Sequence, residues 1–292
     1  MKIYCIYHKE DYDGVASAAI IKQAIPEVIL IPAAYNDNFK QLQIEIKKED
    51  SLFVVDFSLP KKLMDEFHFK LGDRFIWIDH HISAMKENNL EINGIRSTKN
   101  AACILTYNFI FSYKKLPYAI KLLGNYDIWD LEDIKTLYFQ YGMKTYIPLD
   151  PNNKSWDNLF KSDIKLIKKI LKAGKLIYQH QLNNYKQLLK DNSFTTKWND
   201  YNCIIVNSPK TNSIIFDSVK DKYDLLITFE ILKDKTYKVS VYTAKNNIDV
   251  SKICSKFNGG GHKQAAGFIS KTQPEFLKIK RKTKVKEEPK EK

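Results

Sequence analysis

Four short clusters of aspartate and histidine follow one another through the first half of the chain, each at or near the end of an apolar run. The first is His8-Lys9-Glu10-Asp11-Tyr12-Asp13-Gly14, and the second is Asp56, which follows Leu52-Phe53-Val54-Val55. The third is the triplet Asp79-His80-His81, and the fourth is Asn125-Tyr126-Asp127-Ile128-Trp129. A single aspartate after a strand is usually a cap or turn residue, and a single His-His pair usually lies at the surface. Four such clusters together read instead as a dinuclear metal site at one edge of a sheet. Carboxylates and imidazoles without thiolates suit manganese, magnesium or iron better than thiolate-bound zinc. A metal pair of that kind polarises a phosphoryl group, so the chemistry indicated is hydrolysis of phosphate esters.

Asp11 and Asp13 stand two apart, which lets them face two adjacent ions from the turn that leaves a strand. Gly14 lets the backbone pass close to the site and start a helix. Asp56, the first polar residue after its apolar run, is placed to reach the space between the ions. The imidazoles of His80 and His81 point differently, so one binds metal while the other faces substrate. His68 and His180 occur in Lys-rich helical surroundings without acidic neighbours at ligand spacing and are assigned to the surface.

For these clusters to meet, the elements before them must be strands of one sheet. Apolar runs at 3–7, 28–31, 51–55 and 74–78 read as those strands. Between them lie a buried helix over 15–21 stopped by Pro26, a helix opened by Pro60, and a core helix over 101–112. The fold class is therefore α/β, with a mostly parallel sheet covered by helices on both faces and ligands gathered outside the carboxyl ends of the strands. Residues 131–155 read as irregular connection, and 156–189 as one long amphipathic connecting helix. A smaller α/β unit follows, with strands at 202–206, 225–232 and 237–242 and a hairpin-like break at Lys233-Asp234-Lys235. A helix over 248–257 ends in Asn258-Gly259-Gly260-Gly261-His262, and little regular structure is expected after Phe268. The organisation predicted is a metal-binding catalytic domain over 1–150, a helical linker over 151–195, a substrate-binding domain over 196–275 and a basic flexible tail over 276–292.

Bulk composition agrees with a folded two-domain protein: 292 residues, 44% hydrophobic and 13% aromatic. No run of about 18 apolar residues exists to span a membrane, and the start is too short in apolar length for a signal peptide. Cys5, Cys103, Cys203 and Cys254 are widely spaced, which predicts buried free thiols in a reducing cytoplasm rather than disulfides or a zinc-thiolate site. The net charge of +13, part of it in the tail, allows weak nucleic-acid contact there, and biased composition explains it equally well.

Asp-x-Asp-Gly, the strand-end Asp56, Asp79-His80-His81 and the later Asp127, in this order, resemble the DHH phosphoesterase superfamily. Gly259-Gly260-Gly261-His262-Lys263-Gln264-Ala265-Ala266-Gly267-Phe268 is similar to the GGGH-x-x-AAG-F segment of its associated C-terminal domain. The resemblance implies two lobes, with metals in the first and nucleotide recognition shared with the second across a cleft. It implies that His8 and Asp11 bind one of two manganese ions (magnesium being the alternative), that Asp56 bridges, and that Asp13, His80 and Asp127 hold the second. His81 would contact the scissile phosphate, with Asp79 orienting an imidazole. His8 stands three residues before Asp11, where the family usually has two or four. Asp127 is preferred to Asp130 because Asp127-Ile128-Trp129 resembles the D-x-W form of some short members.

In the second lobe, the glycine run would bring backbone N–H groups to an anionic ligand, and His262 would donate to a phosphate oxygen. Many relatives carry an arginine where this chain has Tyr242 in Ser240-Val241-Tyr242-Thr243; Tyr242 would stack on a base, with Lys245 or Lys263 substituting for the charge. The leading expectation is a manganese-dependent phosphodiesterase that hydrolyses very short oligonucleotides to mononucleotides, an activity like that of the nanoRNases. The alternatives are a phosphodiesterase of cyclic or linear dinucleotides, an adenosine bisphosphate phosphatase, a single-strand exonuclease of the RecJ type, and a nucleotide-binding sensor without catalysis. The expected partner is a short oligonucleotide or dinucleotide rather than a membrane. The oligomeric state is open, with a homodimer allowed.

Overall fold

Tyr4, Cys5, Ile6 and Tyr7 are all buried, the continuous apolar run that a parallel strand covered on both faces requires. In the computed structural model, which describes residues 1–35, 37–39 and 45–278, they form β1 (Ile3–His8). Parallel strands β2 (Ile29–Ala33) and β3 (Ser51–Val55) flank it, and β4 (Phe75–Ile78) lies beyond β3, in the order β2-β1-β3-β4. Side chains alternate between two cores. Cys5, Tyr7, Phe53 and Val55 face α1 (Tyr12–Ala24), while Tyr4, Ile6, Leu52 and Val54 pack with Met64, Phe67 and Leu71 of α2 (Lys61–Leu71). Helices thus cover both faces. Register then places the chemistry: Tyr7 pairs with Val55 and Val55 with Ile78, so His8, Asp56 and Asp79 leave the sheet side by side at its carboxyl edge.

After β4 come α3 (Ile82–Glu87), α4 (Ala102–Ile110) and α5 (Tyr118–Asp127). The stretch 131–155, expected to be irregular, instead contains α6 (Lys135–Tyr146). Its buried face includes Thr136, Gly142 and Met143, so it lacks a plain apolar stripe. The single helix expected over 156–189 is two, α7 (Ser155–Phe160) and α8 (Ile164–Asn192). Ser162, in the left-handed region at φ 56°, ends the first, and the Asp163 carboxylate accepts the N–H groups of Lys165 and Leu166 to open the second. His68, expected at the surface, is half-buried on α2, and its Nδ1 is shielded from water.

The chain divides into two units, Met1–Gln179 and the remainder from His180 on, with the division inside α8. The second unit is a six-stranded mixed sheet, β5 (Ser193–Trp198), β6 (Tyr201–Asn207), β7 (Leu225–Ile231), β8 (Tyr237–Tyr242), β9 (Gly260–His262) and β10 (Ala265–Ser270), ordered β5-β6-β7-β8-β10-β9. Strands β6 and β7 are parallel, and the other pairs are antiparallel. Helix α9 (Val250–Ser255) packs Val250 and Cys254 against Ile205, Ile227, Val239 and Val241. Sequence reading missed β5, β9 and β10. It also began the flexible tail too early, because Phe276 and Leu277 are buried, with the Phe276 ring edge-on to Trp198 at 4.9 Å. The rest of the expected tail, 279–292, lies outside the described residues. All four cysteines are free and buried. Among the described residues, no helix is long and apolar enough to cross a membrane.

Candidate metal centre

Each cluster owes its position to a different local device. Asp11 is the N-cap of α1, and its carboxylate accepts the Gly14 N–H at 3.0 Å. A Cβ on Gly14 would overlap the His8 carbonyl, so only glycine lets the helix start against the end of β1. Asp13, two residues further, points the other way. Its two oxygens accept the Ala102 and Cys103 N–H groups at 2.8 Å each, at the start of α4. Asp56 turns off β3 in the left-handed region at φ 49°, which aspartate tolerates better than most residues. Asp79 is fully buried, and one oxygen accepts the backbone N–H groups of His80 and His81 and faces His81 Nδ1 at 2.8 Å. Asp127 stands at the end of α5 rather than after a strand.

These devices bring all eight residues of the sequence-predicted metal and catalytic set together. His8 Nδ1 lies 2.8 Å from Asp11 and 3.8 Å from Asp56. His80 Nε2 lies 3.2 Å from Asp127, 3.4 Å from Asp56 and 3.6 Å from Asp13. Among the described residues, three groups have ligand atoms close enough to share an ion: His8, Asp11 and Asp56; Asp13, His80 and Asp127; Asp56, His80 and His81. Asp130 is in none of them. His8 therefore joins the site despite its spacing. Tyr35, which sequence reading missed, stands beside the centre with its ring 5.7 Å from His8 and 4.7 Å from Phe57. Its hydroxyl is pushed up by burial and then by the charges of Asp79, Asp56 and Asp11. Its only sequence signal is its place just after β2, at the same sheet edge.

The electrostatics call for cations. Asp56 is 1% exposed, and among the described residues neither of its oxygens has a hydrogen-bond partner; His8 Nε2 is also buried without one. Orphaned buried polar atoms of this kind are costly unless a ligand satisfies them. Burial, first of all, pushes the Asp56 carboxyl up to about 8 and those of Asp13 and Asp127 up to about 7, with neighbouring carboxylates adding to the shift. The hydrogen bond to Asp11 pushes His8 up to about 10, and the bond to Asp79 pushes His81 up to about 9. Oxygen and imidazole donors of this type fit hard or borderline divalent ions.

The predicted substrate residues lie in the second unit. Gly260, Gly261 and His262 are exposed on β9, and Gly259 precedes them. Ala265 on β10 pairs with His262 on one side and Tyr242 on the other, so those two residues flank it on neighbouring strands. Tyr242 is half-buried with its ring 6.5 Å from Phe216, and the Lys245 ammonium donates to the Asp221 carbonyl at 2.9 Å.

Residues 2–128 match the DHH family N-terminal domain, and residues 204–284 match the DHHA1 domain. Oligoribonuclease NrnB of Bacillus subtilis is 22% identical over 296 residues, covering 91% of this chain and 72% of that protein. An uncharacterised protein of Acanthamoeba polyphaga mimivirus is 22% identical over 288 residues, and the chain spans 66% of its length. Among solved structures, the DHH domain of a member of a ribosomal-protein family shares the fold, with a TM-score of 0.59 at 14% identity, over 92% of this chain and 82% of that one. Both domain matches fall on one chain, and the aspartates and histidines of the first converge at one sheet edge; the protein therefore belongs to the DHH superfamily of metal-dependent phosphoesterases, with the DHH–DHHA1 architecture.

Proposed function

We propose that the protein is a manganese-dependent phosphodiesterase that hydrolyses very short oligonucleotides to mononucleotides. The observation that carries this reading is Asp56, a buried carboxylate with two unpartnered oxygens that belongs to both the His8–Asp11 group and a histidine group across the centre. His8, Asp11 and Asp56 would hold one ion, and Asp13, His80, Asp127 and Asp56 the second. Two divalent ions held there would neutralise charge on a phosphodiester and lower the pKa of a water molecule.

The protein's own groups then divide the remaining work. Asp79 fixes His81 through Nδ1, which leaves Nε2 to face outward from a side chain 38% exposed, against 14% for His80. The hydrogen bond to Asp79 favours the protonated form of His81, which is the form that donates to a phosphoryl oxygen as charge builds there. Asp13 is held rigidly by the α4 backbone and keeps its ligand geometry while substrate comes and goes. Gly259, Gly260, Gly261 and His262 serve the terminal phosphate, with Tyr242 beside them. A short oligonucleotide as substrate is supported by the likeness to an oligoribonuclease over 91% of the chain. The four free thiols support a cytoplasmic setting.

The test is a panel of labelled di- to pentanucleotides, long single strands, cyclic dinucleotides, adenosine bisphosphate and pyrophosphate, each with manganese and with magnesium. Dinucleotides should be cleaved fastest, and Asp56→Ala should lose at least about 100-fold in kcat/KM. Turnover of pyrophosphate or adenosine bisphosphate without turnover of dinucleotides would overturn the assignment.

A further inference from the structure

Helix α5, which carries Asp127, ends in a Schellman motif. The Trp129 N–H donates to the Tyr126 carbonyl at 3.1 Å, and the Asp130 N–H donates back to Asn125 at 2.8 Å. The residue at the turn, Trp129, takes the left-handed conformation at φ 60°. Glycine or asparagine normally fills this position, because a larger side chain strains the backbone there. Two other helices end in the same way. At the end of α7 the position is held by Ser162, and at the end of α9 by Asn258, both at φ 56°. Of the eight non-glycine residues with positive φ among the described residues, Trp129 is the sole aromatic.

Packing does not offset that strain. Trp129 is 43% exposed, whereas Trp77, Trp156 and Trp198 are at most 4% exposed. Tyr126 is its ring neighbour, at 5.6 Å and 56°. Its position is the informative part: two residues earlier, the Asp127 carboxylate lies 3.2 Å from His80 Nε2. The motif that fixes a carboxylate of the metal centre thus also holds an exposed indole two residues along the chain from it, on backbone that glycine or asparagine would occupy at lower cost. Strain kept at such a position, with no return in burial, points to a role in ligand binding.

A broad flat ring carried two residues after a carboxylate of a site for phosphate esters matches a planar heterocycle joined to a phosphate. Stacking on such a ring tolerates any base, because every base has a π-face. We infer that Trp129 forms a stacking subsite for the base of the nucleotide whose phosphate occupies the metal centre, an inference that rests on the phosphodiesterase reading above. Trp129 binds the base and so positions the phosphate; it is a positioning residue rather than a catalytic one.

Because Trp129 is the exposed one of four tryptophans, its emission is the acrylamide-quenchable part of the protein's fluorescence. With manganese present, adenosine 5′-phosphate should change that emission and shield it from acrylamide. Ribose 5-phosphate, which lacks the base, should not, and Trp129→Phe should abolish the response. For a dinucleotide and its abasic analogue, the ratio of kcat/KM values should fall about tenfold in Trp129→Ala and recover in Trp129→Tyr. Trp129→Gly, relieved of strain, should melt no lower than wild type. The inference is overturned if wild type cleaves the dinucleotide and the ratio does not move in Trp129→Ala. It is equally overturned if Trp129→Gly melts far below wild type and loses both substrates alike, or if wild type is a dimer that Trp129→Ala dissociates. Should wild type cleave no dinucleotide at all, the phosphodiesterase reading fails, and the comparison of adenosine 5′-phosphate with ribose 5-phosphate still decides the stacking subsite.

Discussion

The carboxylate of Asp13 accepts the Cys103 N–H at 2.8 Å from 90 positions away in the sequence, and its other oxygen accepts the neighbouring Ala102 N–H. A residue of the metal centre is thereby the cap of a helix that comes from a distant part of the chain. Asp13→Ala would leave two donors unpaired where the side chain was 2% exposed. Each buried unpaired group costs about 1–3 kcal/mol, offset in part by removing a carboxyl that burial disfavours. We expect a net loss of about 2–3 kcal/mol in urea unfolding of the metal-free protein. Asp163→Ala removes the more exposed cap of α8 and should cost about 1 kcal/mol. Equal losses for the two variants would refute the capping role.

Much of this site was legible because strand ends announce themselves. The run Leu52-Phe53-Val54-Val55 reads as a buried strand, and the register of Tyr7, Val55 and Ile78 then aligns His8, Asp56 and Asp79. The partners of Asp13 carried no such signal, since their N–H groups become donors only when α4 docks. Helix α6 was hidden for a related reason: Gly142 is buried there by meeting another helix, not by its own hydrophobicity. Strand β5 was hidden because its Thr195, Thr196 and Lys197 belong to an edge strand that is only half covered. The break between α7 and α8 was missed because serine, not glycine, takes the left-handed turn.

Gly142 and Gly174 mark where α6 and α8 cross with backbones in contact. A Cβ on Gly174 would overlap the Tyr138 carbonyl, and one on Gly142 would overlap the Ile170 carbonyl. Alanine is the better helix former by about 0.8–1 kcal/mol, so Gly174→Ala would stabilise an isolated helix. Here the obstacle is backbone that no rotamer change can move, and forcing the helices apart costs about 1–3 kcal/mol or more. Thermal melting should therefore show Gly174→Ala below wild type, with the double variant Gly142→Ala/Gly174→Ala lower still. A melting temperature at or above wild type would show that the helices separate freely.

Metal and protons compete for the same groups, which sets the direction of the pH dependence. In the metal-free protein Asp13 and Asp127 stand at about 7 and Asp56 at about 8, raised first by burial. His8 stands at about 10 and His81 at about 9, raised by their bonds to Asp11 and Asp79. For all five, the folded protein keeps its proton to higher pH than the unfolded chain, whose ordinary values are about 4 for aspartate and about 6.5 for histidine. Stability of the metal-free protein from these groups is thus fullest at low pH. It declines as pH rises, from about 4 to 8 for the carboxyls and from about 6.5 to 10 for the imidazoles. A bound cation displaces those protons, so its stabilisation grows over the same range. The melting-temperature gap between manganese-loaded and chelator-treated protein should widen from pH 5 to pH 8, and a narrowing gap would contradict the assignment.

Asp56 should show the opposite separation from Asp13, since no donor holds it. With its pKa at about 8, the metal-free protein near pH 7 already keeps this carboxyl largely protonated. Asparagine has the same shape, carries no charge and tolerates the φ of 49° found there. Asp56→Asn should therefore unfold within about 0.5 kcal/mol of wild type when metal is chelated. Manganese at about 100 times its dissociation constant should add about 2.7 kcal/mol to the wild type. In Asp56→Asn that gain should nearly vanish, and catalysis with it, because both ion-binding groups lose the carboxylate they share with their neighbours. Differential scanning calorimetry with and without manganese measures both halves. A variant that melts well below wild type without metal would make Asp56 a structural residue, and one that keeps the full manganese shift would remove it from the metal centre.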